Sequence, residues 1–517
     1  MSKHRLSILI SVGLASGALC ASGAEKIDYG AQVTASGASG EFAPFYMASL
    51  RHGTLTQKFN TLAGIYARHD MDTTRRFSWA YGVAAMGGFA SSTAYGRFVP
   101  EGEEGGRWTV RDCRPAAVRL QELYGSVKYR SLQLFVGMKE RGSDWLDNDL
   151  TSGDLMHSGN AVPIPQVRAG FIDFQNIPLT KGWVQITGSI AYGKFFQDAW
   201  LKDHYNYYNS HITLGQLYTY KDIFLRSNPD KPLSVMIGAQ IAGLFGGTTY
   251  KYKNGRIESV THNGEGLKQF WDMFIPTEGS GDMFYEGQTL GSWNFMARYR
   301  LPGGHKLKGY FQWLWEDGSS MGRCNKWDGL WGVEYDAPAP WWVDGAVAEY
   351  VDFRDMSGPV HWAPGLNPGT TVTGEATGGD DYYNNYFYNA YANCGMALGT
   401  PMAMSPIYNT DGYPLFLLNR FHGFHVAVKG QLAKGLRYRV KFGYRRAFGT
   451  PLLPLPEPVH SYMAMCEGVY ALPSVEGLKI TAQLGLDRGK MPGNSFGALV
   501  SVSYDGVFDI KPSANRK

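Results

Sequence analysis

The sequence predicts an all-β protein, a transmembrane antiparallel β-barrel, and three observations carry the prediction. The chain opens with an export signal. It is rich in glycine and aromatic residues and poor in charge. It also repeats short segments in which apolar and polar residues alternate one by one.

The export signal comes first. Lys3, His4 and Arg5 are followed by Leu6 to Leu19, nearly free of charge, and then by Ser22 and Ala24 spaced as a signal peptidase prefers. Cleavage is expected before Glu25, which makes 1–24 a signal peptide and 25–517 a single barrel domain in the outer membrane. The apolar stretch falls short of the roughly 20 residues that a spanning helix needs. Leu19 stands before Cys20 where a lipoprotein signal takes a small residue, and no later run is long enough for a membrane helix. Losing Lys3 and Arg5 takes the formal charge from +4 to +2, too near neutral to suggest nucleic acid. Cys113, Cys324, Cys394 and Cys466 remain, an even set that allows two disulfides in any of three pairings. Their wide spacing lacks the close pairs of a zinc site.

Composition points the same way. The chain holds 65 Gly, 32 Tyr, 27 Phe and 14 Trp with only 18% charged residues, and its mean hydropathy is negative. Ordinary soluble helices would demand more Leu, Lys and Glu, whereas a barrel with a wet interior has this mixture.

The strands follow from the period of two. Leu436, Tyr438, Val440, Phe442 and Tyr444 form one face, with Arg437, Arg439, Lys441, Gly443 and Arg445 on the other; a helix would mix the two sets. The same alternation recurs at 132–139, 184–193 and 478–487. Phe311, Trp313 and Trp315 end a strand on one face, as an aromatic girdle does. Phe496, Ala498, Val500, Val502 and Tyr504 mark a last strand able to close the barrel against the first, and lipid requires closure. The longest polar connections are expected around 102–114, 254–281 and 357–411. The length accommodates roughly 16 to 18 strands with no second domain.

The connections carry an ordered series of blocks. They include Leu120-Gln121-Glu122-Leu123-Tyr124, Thr151-Ser152-Gly153-Asp154-Leu155-Met156 and Asn160-Ala161-Val162-Pro163-Ile164-Pro165. Trp327 to Gly332, Glu349-Tyr350, Met356-Ser357-Gly358-Pro359, Asp381 to Asn385, Gly399-Thr400-Pro401 and Asn419-Arg420 follow, with Pro44-Phe45 near the start. Over nearly the whole mature chain this series resembles the Wzi capsule-assembly family. It departs from that family's pattern at Val162, where arginine is expected, and at Met356, where glutamine is. The resemblance implies a barrel of about 18 strands with small periplasmic helical elements. It also implies a lectin-like role in attaching capsular polysaccharide to the cell surface.

Candidate site residues are of two kinds. Asp381, Tyr382, Tyr383, Asn384, Asn385, Tyr386 and Tyr388 combine flat rings with directional polar groups, as a glycan contact needs; a packed loop or an interfacial belt would use the same residues. Arg437, Arg439, Lys441 and Arg445 form a lumenal basic stripe that could guide an acidic polymer, though bracing of the barrel wall is favoured. Signals for an enzyme are weak. Gly493-Asn494-Ser495-Phe496-Gly497 matches a nucleophile elbow but leads into a strand. His422 and His425 fall on opposite faces of a strand, and adjacent carboxylates such as Asp380-Asp381 point apart. No phosphate-cradling loop is present in the sequence.

The sequence therefore predicts a non-catalytic, lectin-like outer-membrane protein without cofactor or metal, its partners being outer-membrane lipid and capsular or surface polysaccharide. The alternative is a porin-type channel for small solutes. A filled lumen favours the first and an open lumen the second. A barrel-embedded hydrolase is a third reading, one that needs a convergent set around Ser495.

Overall fold

In the computed structural model, residues 25–510 are described apart from 104, 276–286, 317, 322 and 358–379; the predicted signal segment lies outside them. Nineteen hydrogen-bonded segments form one sheet. Two of these, Gln166–Phe171 and Gln175–Asn176, run consecutively along Val184–Lys194 and make one interrupted strand, so the barrel has 18 strands. The seam is formed by Glu25–Phe42 against Ser495–Ile510, antiparallel from Glu25↔Ile510 to Ala38↔Gly497.

The alternation read from the sequence is the inside-out pattern of the wall. Val440, Phe442, Leu484 and Val500 are each 41–53% exposed on the outer face, while their neighbours Lys441, Gln483 and Leu499 are buried toward the lumen. Of the aromatic face expected at 311–315, Phe311 stacks on Trp331 at 3.9 Å and Trp315 faces Trp293 at 6.0 Å, with Phe311 and Trp315 themselves buried.

The two ends of the barrel differ. Short turns, such as that between Phe421–Ala433 and Leu436–Gly449, gather at the end where the first strand starts and the last strand finishes. The long connections gather at the other. Outer-membrane barrels keep short turns in the periplasm and long loops outside, which orients this one.

Lumenal side chains grow more buried away from the short-turn end. Along Leu478–Gly489, Lys479 is exposed, Thr481 half-buried, and Gln483 and Asp487 buried. The cause is a plug built from the connections 139–165 and, of the described residues, 353–357 and 380–420. Leu155, Met156, Tyr382, Tyr383, Met402 and Phe416 are fully buried in it, in one cluster with wall residues such as Leu314 and Leu330. The connection after the first strand joins them through Phe45 and Tyr46. Its turn nests against the seam because Gly485 and Gly497 carry no side chain: a Cβ there would stand 2.9 Å and 2.8 Å from Pro44.

Two expectations are corrected. The helices Phe45–Ala48, Asp198–His204, Leu267–Phe274 and Gly318–Met321 all lie in connections at the long-loop end. Among the described residues the short-turn end carries no helix. The four cysteines are free thiols. They are dispersed: Cys113 in a loop hairpin, Cys324 exposed in an outer connection, Cys394 in the plug, and Cys466 on the outer face opposite Val440.

Candidate functional site

While Gly358 and Pro359 lie outside the described residues, several blocks of the series, 151–156, 381–385, 399–401 and Asn419, meet in the plug. Asp154 is its polar centre, accepting from Ser143 Oγ and Trp145 Nε1 on one oxygen, both at 2.8 Å. The other oxygen accepts from Met156 N at 2.7 Å, His157 N at 3.1 Å and the wall residue Gln312 Nε2 at 2.9 Å. Glu349 on the wall takes Thr151 Oγ1, Ser152 N and Tyr310 Oη at 2.6–2.7 Å. A buried carboxylate must be satisfied this fully to be tolerated. Thr400 Oγ1 donates to Ser152 O at 3.1 Å, and Asn419 Nδ2 bridges Asp381 Oδ1 and Tyr382 O. Of the two departures, Met356 is buried, and Val162 is half-buried with its carbonyl accepting Asn393 Nδ2.

This packing decides where the tract 381–388 stands. Tyr382 and Tyr383 have no exposed surface; Tyr382 Oη accepts Asn325 Nδ2, and Tyr383 Oη donates to Leu155 O at 2.7 Å. Asp381, Asn384 and Tyr388 are buried and Asn385 is half-buried. The stacking surface expected over the whole tract is therefore confined, among its tyrosines, to Tyr386, which is 51% exposed beside Phe387. An aromatic, Asn-rich tract reads alike as surface and as plug, which is why the sequence could not separate them. Burial raises the carboxyl of Asp381 even though Asn419, Asn384 and Tyr386 donate to it. Burial also pushes Asp328, which accepts the amides of Asp355 and Met356, up to about 7.

Three of the four residues of the basic stripe have partners on the wall or plug. Arg437 pairs with Asp344 at 2.9 Å, and Arg439 with Glu467 at 2.8 Å and Asp149 at 3.3 Å. Arg445 is buried and donates to the carbonyls of Pro401, Met402 and Met491, holding the plug to the wall. Lys441 is the exception, with one long hydrogen bond of 3.5 Å to Thr151 O. His425 is buried between Tyr46 Oη and Leu150 O, with His422 on the opposite strand face. Ser495 opens the last strand, its hydroxyl donating to Phe42 O.

A second surface was missed by sequence reasoning, which took 102–114 as a plain loop. Thr93–Glu101 and Gly105–Cys113 form a hairpin at the long-loop end. Phe98 and Trp108 on it meet Tyr208 at 4.7 Å and 5.2 Å. Arg97 lies over the ring of Tyr207 at 4.7 Å, and Tyr207 packs edge-on against Tyr252. Arg111 and Asp203 pair beside them, both about half exposed. Trp108 is 53% exposed, so the platform offers an open ring flanked by charged and amide groups. Tyr252 belongs to a three-stranded sheet made with His211–Leu214 and Arg256–His262. That sheet also receives the plug tip: Thr249 Oγ1 donates to Phe387 O at 3.0 Å, and His211 Nε2 to Tyr388 O at 2.7 Å. The alternation Tyr95, Arg97, Val99 was the available signal, obscured by Gly96 and Pro100.

No family model matches the sequence, and no curated protein matches it. Among solved structures, the fold is similar to Wzi of Escherichia coli, described as an outer-membrane protein involved in group 1 capsule assembly and a carbohydrate-binding β-barrel. The identity is 13%, the match covers 96% of this chain and 87% of that one, and the TM-score is 0.54. Pseudomonas aeruginosa OccD3 (OpdP) and OpdK with vanillate are also matched, at TM-scores of 0.43 and 0.38 with 8% and 11% identity. These cover 95% and 93% of this chain and 94% and 98% of theirs.

Proposed function

We propose that this barrel is a non-catalytic, lectin-like outer-membrane protein that holds capsular or another surface polysaccharide at the cell exterior. The observation that carries the reading is the filled lumen. Loops that could have lined a channel are instead fixed to the wall by Asp154, Glu349 and Arg445, and the outer end carries the open platform around Trp108. A sugar ring has an apolar face and a polar rim, and exposed rings beside Arg97, Arg111 and Asp203 supply partners for both. The fold similarity to Wzi, a carbohydrate binder by description, adds support.

The test is polymer retention. Deleting the gene should leave polymer synthesis intact and release polymer into the medium, because a binder serves attachment and not bond formation. Trp108→Ala with Tyr208→Ala should lower retention at an unchanged amount of folded protein in the outer membrane. Normal retention in the deletion strain, with lost uptake of a small solute, would replace this reading by the channel.

A further inference from the structure

Below the plug, the lumen opens a chamber of about 400 Å³ toward the short-turn end. The underside of the plug forms its ceiling through Tyr46, Thr151, Ser152 and Pro401. Its walls are mostly polar: Thr34 and Ser501, whose hydroxyls meet at 2.7 Å, with Gln32, Thr481 and Ser503.

Two groups at the ceiling are left short of partners. Lys441 is 6% exposed, and its ammonium has three donors but, among the described residues, one acceptor at 3.5 Å. The surrounding carboxylates act on it through space but give their oxygens to other donors. Glu467 pairs with Arg51 and Arg439, Asp149 with Lys429 and Arg439, and Glu349 accepts from Thr151, Ser152 and Tyr310. Ser152 is 2% exposed, and its Oγ has no hydrogen-bond partner among the described residues. A buried ammonium short of hydrogen-bond acceptors is costly, and an anion entering the chamber would supply them.

We propose that this chamber is a binding site for an acidic monosaccharide reached from the periplasmic side, its carboxylate on Lys441 and its hydroxyls on the Thr and Ser wall. The volume suits a sugar-sized ligand and far exceeds a bare oxyanion. The hydroxyl-rich lining matches a polyol. The site does not rest on the polysaccharide reading above, since it lies on the opposite side of the plug.

The test uses the purified full chain in detergent, titrated calorimetrically with sodium glucuronate, glucose and inorganic phosphate. Glucuronate should bind saturably and more tightly than the other two. Lys441→Met should weaken it about tenfold or more, the scale of one charge-assisted hydrogen bond. Ser501→Phe, which fills the chamber and leaves the ceiling untouched, should abolish binding and decides the matter if Lys441→Met fails to fold. Absence of saturable glucuronate binding overturns the proposal. So does binding unchanged in the folded variants, or glucose or phosphate binding as tightly as glucuronate. Polymer retention is not read in this assay, so its failure and that of the surface reading are separate outcomes.

Discussion

Replacing Asp154 by alanine tests whether the plug is held by its polar centre. Five donors converge on this carboxylate. Gln312 Nε2 keeps Gln240 Oε1 at 2.9 Å as a second acceptor, and Ser143 and Trp145 lie near the edge of the cluster. The amides of Met156 and His157 have no other acceptor among the described residues. At about 1–3 kcal/mol for each stranded buried donor, Asp154→Ala should loosen the plug by about 2–6 kcal/mol. The wall ladder is untouched, so the barrel should still migrate as a folded, heat-modifiable species. In planar bilayers the unaltered protein should conduct little, while Asp154→Ala should open and close repeatedly and become cleavable by protease within 143–164. Asp154→Asn should fall between: its oxygen can keep the two amides, but its NH2 then faces the Trp145 donor. If Asp154→Ala matches the unaltered protein in conductance and cleavage, the plug is not anchored there and the reasoning fails.

Other outcomes follow from the wall, the thiols and a buried acid. Val440→Arg or Phe442→Arg should cost about 2–4 kcal/mol in unfolding titrations if the strand faces mid-bilayer, and Thr481→Arg, pointing into the wet chamber, far less; equal costs would reverse the assignment of faces. A membrane-impermeant maleimide should label Cys324 on intact cells, and labelling only after permeabilisation would invert the orientation. Asp328 binds its proton up to about pH 7 when buried and only to about 3.8 when its loop opens. Its contribution is full below about pH 4 and falls as pH rises through 7. Hydrogen-exchange protection factors at the Asp355 and Met356 amides should fall over that window, and protection rising with pH would contradict it.

What the sequence disclosed was the wall. Residues 436–445 and 478–487 alternate because one face meets lipid and the other water or plug, and that contrast is written directly in side-chain polarity. The seam strand was legible for the same reason. The plug was not, since Tyr382 and Tyr383 reach burial through partners far along the chain, Asn325 and Leu155, which no local period records. The hairpin carrying Trp108 was hidden by its glycines and proline. The basic residues of 437–445 could be placed in the lumen, but the split between bracing and an unmet ammonium depends on which carboxylates stand opposite, and only the folded register decides that.

The seam favours an order of assembly. Pro44 to Met47 leave the first strand and lodge against Gly485 and Gly497, on the two strands that finish the barrel, and Phe45 N donates to Asp487 at 2.7 Å. Once the end strands zip together, this turn can enter only through the long-loop end. Filling is therefore easiest before the cylinder shuts, and a chain that zips early has to thread its first connection in from that end. Membrane insertion of such a protein is a race between filling and closing, and bulk at Gly485 or Gly497 would handicap the filling side while leaving the lipid-facing belt unchanged.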